Sequence, residues 1–126
     1  MKVSPRLGLS WLKRITIGNI NSKRDWGHAK DYVYAMWKMM QLKKPDDFVI
    51  GTGKIHTVKD FLKLAFKHVN LNYKNFIKID RKLFRPNDKV ILKANYRKAK
   101  KILKWQPKTN FTSLVKEMVD FDIKNN

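Results

Sequence analysis

Arg24 and Arg85 are the two side chains whose neighbours best suit them to hold an anion. Arg24 lies in Gly18–Trp37 (GNINSKRDWGHAKDYVYAMW), where a short apolar strand, a polar turn and the first turns of a helix follow one another closely. At such a junction a planar guanidinium and unsatisfied helix N–H groups converge, which is the geometry of a phosphate site. Arg85 stands directly before Pro86, which holds it extended, and Asp88 follows. This pair can clamp a phosphate through the guanidinium and take a ribose hydroxyl on the carboxylate. The same spacing also fits a surface loop closed by an Arg85–Asp88 ion pair, and spacing alone favours the loop.

Other reactive-looking patterns carry less. Tyr34 with Lys38 and Tyr96 with Lys100 put a phenol and an ammonium on one helix face, as an oxidoreductase proton relay needs. Neither follows a strand bearing a catalytic Ser or Thr, and in a lysine-rich chain such pairs arise by chance. Gly51-Thr52-Gly53 lacks the third glycine of a dinucleotide fingerprint and stands too far ahead of the next helix's apolar face. His28, His56 and His68 have no ligand partner at helical spacing, so no metal site is expected; His56 and His68 read as surface or supporting groups. There is no cysteine, which excludes disulfides and thiolate metal sites.

The elements that must position these residues are short. With 126 residues, 43% of them hydrophobic, the chain reads as one α/β domain with a modest core, small for a complete cofactor enzyme. Strands are expected at Arg14–Asn19, at Phe48–Ile50 and, as an edge, at Asn75–Asp80. The first helix runs from about His28 to Leu42, with Ala29, Val33, Met36 and Met40 turned to a core. Thr57 caps a second over Val58–Val69 with Phe61, Leu64, Ala65 and Val69 on one face. Asn95 starts a third over Tyr96–Leu103, and Asn110 caps a fourth carrying Leu114, Val115, Met118 and Phe121. Trp105 is expected to fill the gap between the last two helices.

The formal charge of +19 invites a nucleic-acid reading. Against it, lysines such as Lys43, Lys59, Lys74, Lys93 and Lys108 are spread through every segment, which suits a solvated surface better than one polyanion face. No apolar run approaches a membrane span and the first residues lack a secretory signal, so a cytoplasmic location is expected.

Four blocks in order, RDWGHAKDYVYAMWKMM, KPDDFVIGTGKIHTVKDFLKLAFKHV, DRKLFRPND and KILKWQPKTNFTSLVKEMV, resemble the C-terminal part of the GDP-mannose 4,6-dehydratases, which are extended short-chain dehydrogenase/reductases. The likeness runs from about Ile15 to Asp122. It implies one partial domain over 1–126, with 1–13 poorly matched and 14–124 forming the nucleotide-sugar-binding, C-terminal portion, few short strands with about four helices, and the Rossmann domain missing. The family converts GDP-mannose to GDP-4-keto-6-deoxymannose with tightly held NADP. Its catalytic Tyr, Lys, Thr and Glu, like its phosphate loop, belong upstream of the part resembled here, so no catalytic residue is assigned and no cofactor is expected on this chain alone.

By the resemblance Arg24 and Arg85 are ligands of the diphosphate. Asp88 replaces a family Glu on the ribose hydroxyls, and Gly18 and Asn19 lie along the nucleotide. Lys98 and Ala99 match the family, but Ala94-Asn95-Tyr96 stands where Gly-Asp-Pro is usual. Ser4-Pro5-Arg6 resembles the start of a cofactor-contacting Ser-Pro-Arg-Arg-Gly segment, with Leu7 in place of the second Arg, and is given no function. The implied partners are GDP-mannose and either an upstream Rossmann domain or further copies. Two other readings stand beside this one: a basic nucleotide- or nucleic-acid-binding module without catalysis, and a remnant that folds poorly.

Overall fold

The computed structural model describes residues 14–86, 88 and 90–125; the Ser4-Pro5-Arg6 segment lies outside them. In chain order come β1 (Ile15–Ile17), β2 (Lys23–Arg24), α1 (Ala29–Met40), β3 (His56–Thr57), α2 (Val58–His68), β4 (Ile77–Ile79), α3 (Arg97–Ile102) and α4 (Phe111–Asn125). Short 3-10 turns occupy Tyr73–Asn75 and Arg81–Leu83. The chain forms two compact units. One holds the described residues up to Ser22, those from Thr57 to Val90 and those from Val115 onward; the other holds Lys23–His56 and Ile91–Leu114.

In the first unit β1 and β4 pair in parallel, Ile15 opposite Ile77 and Ile17 opposite Ile79. The ladder is extended by Ile15 N–H to the Phe76 carbonyl (2.7 Å) and Asp80 N–H to that of Ile17 (2.9 Å). α2 starts at a capping box: Thr57 Oγ1 accepts from Asp60 N–H (3.0 Å), and the Asp60 carboxylate accepts from Thr57 N–H (2.9 Å). It ends where Asn70 takes a positive φ of 58°, with Leu71 N–H bonded to the Phe66 carbonyl and Asn70 N–H to that of Lys67. That double bond pattern satisfies the helix's last carbonyls. Phe66 stacks on the buried Phe76 (5.5 Å between centroids), which seats α2 against the entry to β4.

The second unit is built around the buried residues Ala35, Ala99, Leu103 and Trp105, with Tyr32, Met39, Leu42, Phe48 and Ile50 packed against them. Two residues beyond α3, Lys104 takes a φ of 51° and turns the chain so that Trp105 folds back into this core. The indole N–H donates to the Asp31 carbonyl (2.8 Å), so the largest buried side chain leaves no polar atom unpaired. The Asp31 carboxylate accepts from the amides of Lys108 (3.0 Å) and Thr109 (2.9 Å). Burial, helped by Asp25 and Asp31, pushes the Tyr32 hydroxyl above its ordinary pKa.

Several expectations are corrected. α1 turns Tyr32, Ala35 and Met39 to the core, with Leu42 just beyond its end, whereas Val33, Met36 and Met40 stand exposed and Ala29 is solvent-facing. The helix carries two adjacent apolar stripes, and the contacts of Asp31 with Trp105, Lys108 and Thr109 decide which is buried. Phe48–Ile50 keeps the alternation of a strand, with Phe48 and Ile50 on the core and Val49 exposed, but forms no ladder among the described residues. Trp105 fills a gap beside Ala35 of α1 and Ala99 of α3, not one between α3 and α4. On α4, Leu114 and Val115 are buried while Met118 and Phe121 are exposed.

Replacing Asp31 by Ala strands two amides and removes the tie that orients α1. Urea unfolding of Asp31→Ala is expected to show a loss of about 2–3 kcal/mol, with no loss if the tie is incidental.

Candidate functional site

In the first unit the loop after β1 is fixed from three sides. Gly18 packs so close to Leu83 that an added Cβ would lie 2.8 Å from the Leu83 carbonyl oxygen. Asn19 Oδ1 accepts from Asn21 N–H (2.9 Å), closing an Asx turn. The carbonyls of Ile20 and Ser22 take the first amides of α2, from Lys59 (2.7 Å) and Val58 (3.0 Å). With Thr57 holding the amide of Asp60, the start of α2 is spent on this loop and its own cap, not left open as an anion site.

Ser22 is buried, and its hydroxyl donates to Asp88 Oδ2 at 2.5 Å across 66 residues of sequence. The Arg85–Asp88 turn is closed by Asp88 N–H to the Arg85 carbonyl (3.2 Å). Ahead of it, Asp80 Oδ1 accepts from Lys82 N–H (2.9 Å) and starts the 3-10 turn that carries Leu83. Arg85 is exposed and has no ion pair among the described residues, so the intramolecular Arg85–Asp88 pair weighed above is not formed. The unit thus holds Gly18, Asn19, Arg85 and Asp88, with an exposed guanidinium whose fork suits a phosphate and a carboxylate that takes the Ser22 hydroxyl among its partners.

Arg24 lies on β2, in the second unit, where β2 pairs with β3. Its Nη1 donates to the Lys23 carbonyl (2.8 Å). The helix start beyond it is not an open cradle: His28 Nδ1 accepts from Lys30 N–H (3.0 Å), and Asp31 N–H goes to the His28 carbonyl. Asp25 is a structural carboxylate, accepting from the amides of Gly53 (2.8 Å), Thr52 (3.0 Å) and Ala94 (3.2 Å) and from the Thr52 hydroxyl. Gly51 is pressed against Ala94, where an added Cβ would meet the Ala94 methyl at 2.3 Å. The Gly51-Thr52-Gly53 turn is therefore packed closely against Ala94.

The same unit contains two cavities that the sequence reading missed. One, of about 240 Å³, is walled by Trp26, Tyr96 and Phe111, with His56 stacked face to face on Phe111 at 3.8 Å. His56 Nε2 is buried there with no hydrogen-bond partner among the described residues. The other, of about 550 Å³ and open, is lined by Lys54, Lys93, Arg97 and Lys100 and by no carboxylate. Tyr34 and Lys38 do meet, but as an ammonium 5.1 Å from the ring centroid, and Tyr96 packs edge-on against Trp105. Among the described residues no group of three or more His, Asp or Glu could hold a metal ion. Of the residues that build the loop site, Ser22 had no signal in the sequence, since its partner lies far along the chain.

Comparison with known proteins gives this geometry a context. A family model described as GDP-mannose 4,6 dehydratase matches residues 5–118. GDP-mannose 4,6 dehydratase 1 of Arabidopsis thaliana is 47% identical over 119 residues, covering 94% of this chain and 33% of the relative. The GDP-mannose 4,6 dehydratase of Dictyostelium discoideum is 47% identical over 125 residues, covering 86% and 35%. The chain therefore spans about a third of the length of the curated relatives it matches. Among solved structures, dTDP-glucose 4,6-dehydratase from Bacillus anthracis in complex with NAD superposes with a TM-score of 0.78 at 21% identity, over 90% of this chain and 35% of that one. At that identity the match establishes the fold, that of the extended short-chain dehydratases and epimerases.

The Ser22–Asp88 bond should be measurable by itself. Urea unfolding of Ser22→Ala is expected to show a loss of about 1–3 kcal/mol, because a hydrogen bond to a charged group is removed; an unchanged midpoint would show that Asp88 is held by other means.

Proposed function

Because the chain belongs to the GDP-mannose 4,6-dehydratase family and spans about a third of its relatives' length, we propose that it supplies the nucleotide-sugar-binding part of that enzyme. In this reading Arg85 takes the diphosphate, Asp88 the ribose hydroxyls, and Gly18 and Asn19 line the nucleotide. The observation that carries it is the division of labour around Asp88. Ser22 orients the carboxylate, and Arg85 keeps its charge unspent for a ligand. Asp88 is one methylene shorter than the family's Glu, and its bond to Ser22 limits the side-chain freedom lost on binding.

Arg24 is carried into the proposal by its Arg-Asp-Trp-Gly motif and is tested by its own substitution. The complete reaction, dehydration of GDP-mannose to its 4-keto-6-deoxy form, needs the hydride uptake and return that NADP supplies when bound. By the family likeness the catalytic residues and the phosphate loop belong to the part of the enzyme that this chain does not span. A second reading rests on the cavity lined by Lys54, Lys93, Arg97 and Lys100, whose unopposed charges suit a polyanion.

Thermal unfolding near physiological salt separates the two. GDP-mannose in excess is expected to raise the midpoint by mass action, with a smaller effect from UDP-glucose. Arg85→Ala and Arg24→Ala should each remove most of the shift, and Asp88→Asn should reduce it. A shift with a short DNA duplex alone, abolished by added salt, would overturn the nucleotide-sugar reading in favour of the polyanion module.

A further inference from the structure

The open cavity of the second unit, about 550 Å³, gathers cations from three separate segments. Lys54 follows the turn at Gly53, Lys93 belongs to the irregular run ahead of α3, and Arg97 and Lys100 stand three residues apart on α3, on one face of it. All four are exposed, and none makes an ion pair among the described residues. Lys98 on the same helix is the contrast: its Nζ donates to Asp46 at 2.6 Å and to the Asp47 carbonyl at 2.9 Å. Like charges gathered on one wall repel, so the wall gains most from an anion that meets several of them at once.

The backbone that carries these cations is fixed. The Asp25 carboxylate takes the amides of Thr52 and Gly53 on one side and of Ala94 on the other, so it pins the turn that bears Lys54 to the run that bears Lys93. Gly53 holds a φ of 70° in that turn. Asn95 Oδ1 accepts from Arg97 N–H at 3.2 Å, which leaves the side-chain amide of Asn95 as a further donor on the lining. Asp25 puts a negative charge beneath this floor, but its oxygens are committed to the amides and the Thr52 hydroxyl and pair with none of the four cations. Segments held this way lose little backbone freedom when a ligand enters.

Charge and shape select the ligand. A single sulfate or phosphate engages only part of the wall, and a duplex spreads its charges along an axis much longer than a bounded cavity. Several condensed phosphates place their charges in a compact volume, with the Arg97 fork on one phosphate and the lysines as point charges on the others. We propose that the Lys54–Lys93–Arg97–Lys100 cavity binds a condensed chain of phosphates, supplied either as free polyphosphate or as the triphosphate tail of a nucleotide. The inference rests on the polyanion reading of this cavity and narrows it to a compact ligand. It does not depend on the Arg85–Asp88 loop.

The test is calorimetric titration of the full chain with tripolyphosphate near physiological salt. Saturable one-to-one binding is expected, about tenfold or more tighter than that of sulfate. Lys93→Ala with Arg97→Ala should weaken it about tenfold or more, whereas Lys43→Ala with Lys74→Ala, which removes the same charge from exposed positions outside the cavity, should change it less than about twofold. Arg97→Lys, which keeps the charge without the fork, should weaken it several-fold. Arg85→Ala should leave it unchanged, which separates this cavity from the loop. GTP in place of tripolyphosphate distinguishes the sources: tighter binding that is lost in the Lys93/Arg97 variant identifies a nucleotide tail, and equal or weaker binding a free chain. The exposed positions allow these variants to keep the wild-type melting profile, which is checked in parallel. Equal losses in the two double variants, or several weak equivalents per chain, would show that diffuse charge does the binding and would overturn the proposal. A DNA duplex bound more tightly than tripolyphosphate would overturn it while leaving the polyanion reading in place, and no saturable binding of either would end both.

Discussion

A single carboxylate, that of Asp31, organises the second unit. It is 7% exposed, and its oxygen is met by the amides of Lys108 and Thr109 and, among the described residues, by no ammonium group. Burying an acceptor this strong is tolerable only when donors replace the lost water, and backbone amides do so without adding a flexible side chain. One residue thereby joins the first turn of α1 to the loop after Trp105, while its carbonyl receives the indole N–H. The rotation of α1 follows from this bond set, and so does the choice of stripe that faces Ala99 and Leu103.

The same device recurs. Asp25 gathers Thr52, Gly53 and Ala94; Asp88 holds Ser22; Asp60 and Asp80 start helical turns. Exposed carboxylates differ in kind: a hydrogen bond from Lys98 at 2.6 Å keeps the pKa of Asp46 low, and Asp120 meets His68 Nε2 at 2.6 Å. In a chain with 29 basic and 10 acidic residues, many of the scarce carboxylates are committed to shaping loops. These carboxylates keep their charge while shaping loops, so the net charge of +19 reflects the excess of lysine and arginine over acids.

What could be read from the sequence was local. Thr57 and Asn110 announce their helices because a cap involves only residues three or four apart, and both caps are present. β1 and β4 show in their alternation, although their parallel register does not. The buried face of α1 was misread because periodicity detects an apolar stripe but cannot choose between two neighbouring ones; a bond to residues 74 to 78 positions away makes that choice. Phe48–Ile50 shows the complementary limit, since a strand pattern says nothing about whether a pairing strand is present. The Ser22–Asp88 bond had no signature at all, while Arg85 and Asp88 stood out only through their Arg-Pro context and the family likeness.

The central claim is that the loop held by Ser22 and Asp88 receives a nucleotide sugar. Residue-resolved NMR of the isotopically labelled chain, titrated with GDP-mannose, addresses it most directly. The account predicts saturable shifts concentrated at the amides of Gly18, Asn19, Ser22, Arg85 and Asp88, with little change around Lys54, Lys93 and Lys100. Shifts spread over the lysines and abolished by salt, with the Gly18–Ser22 loop silent, would contradict it.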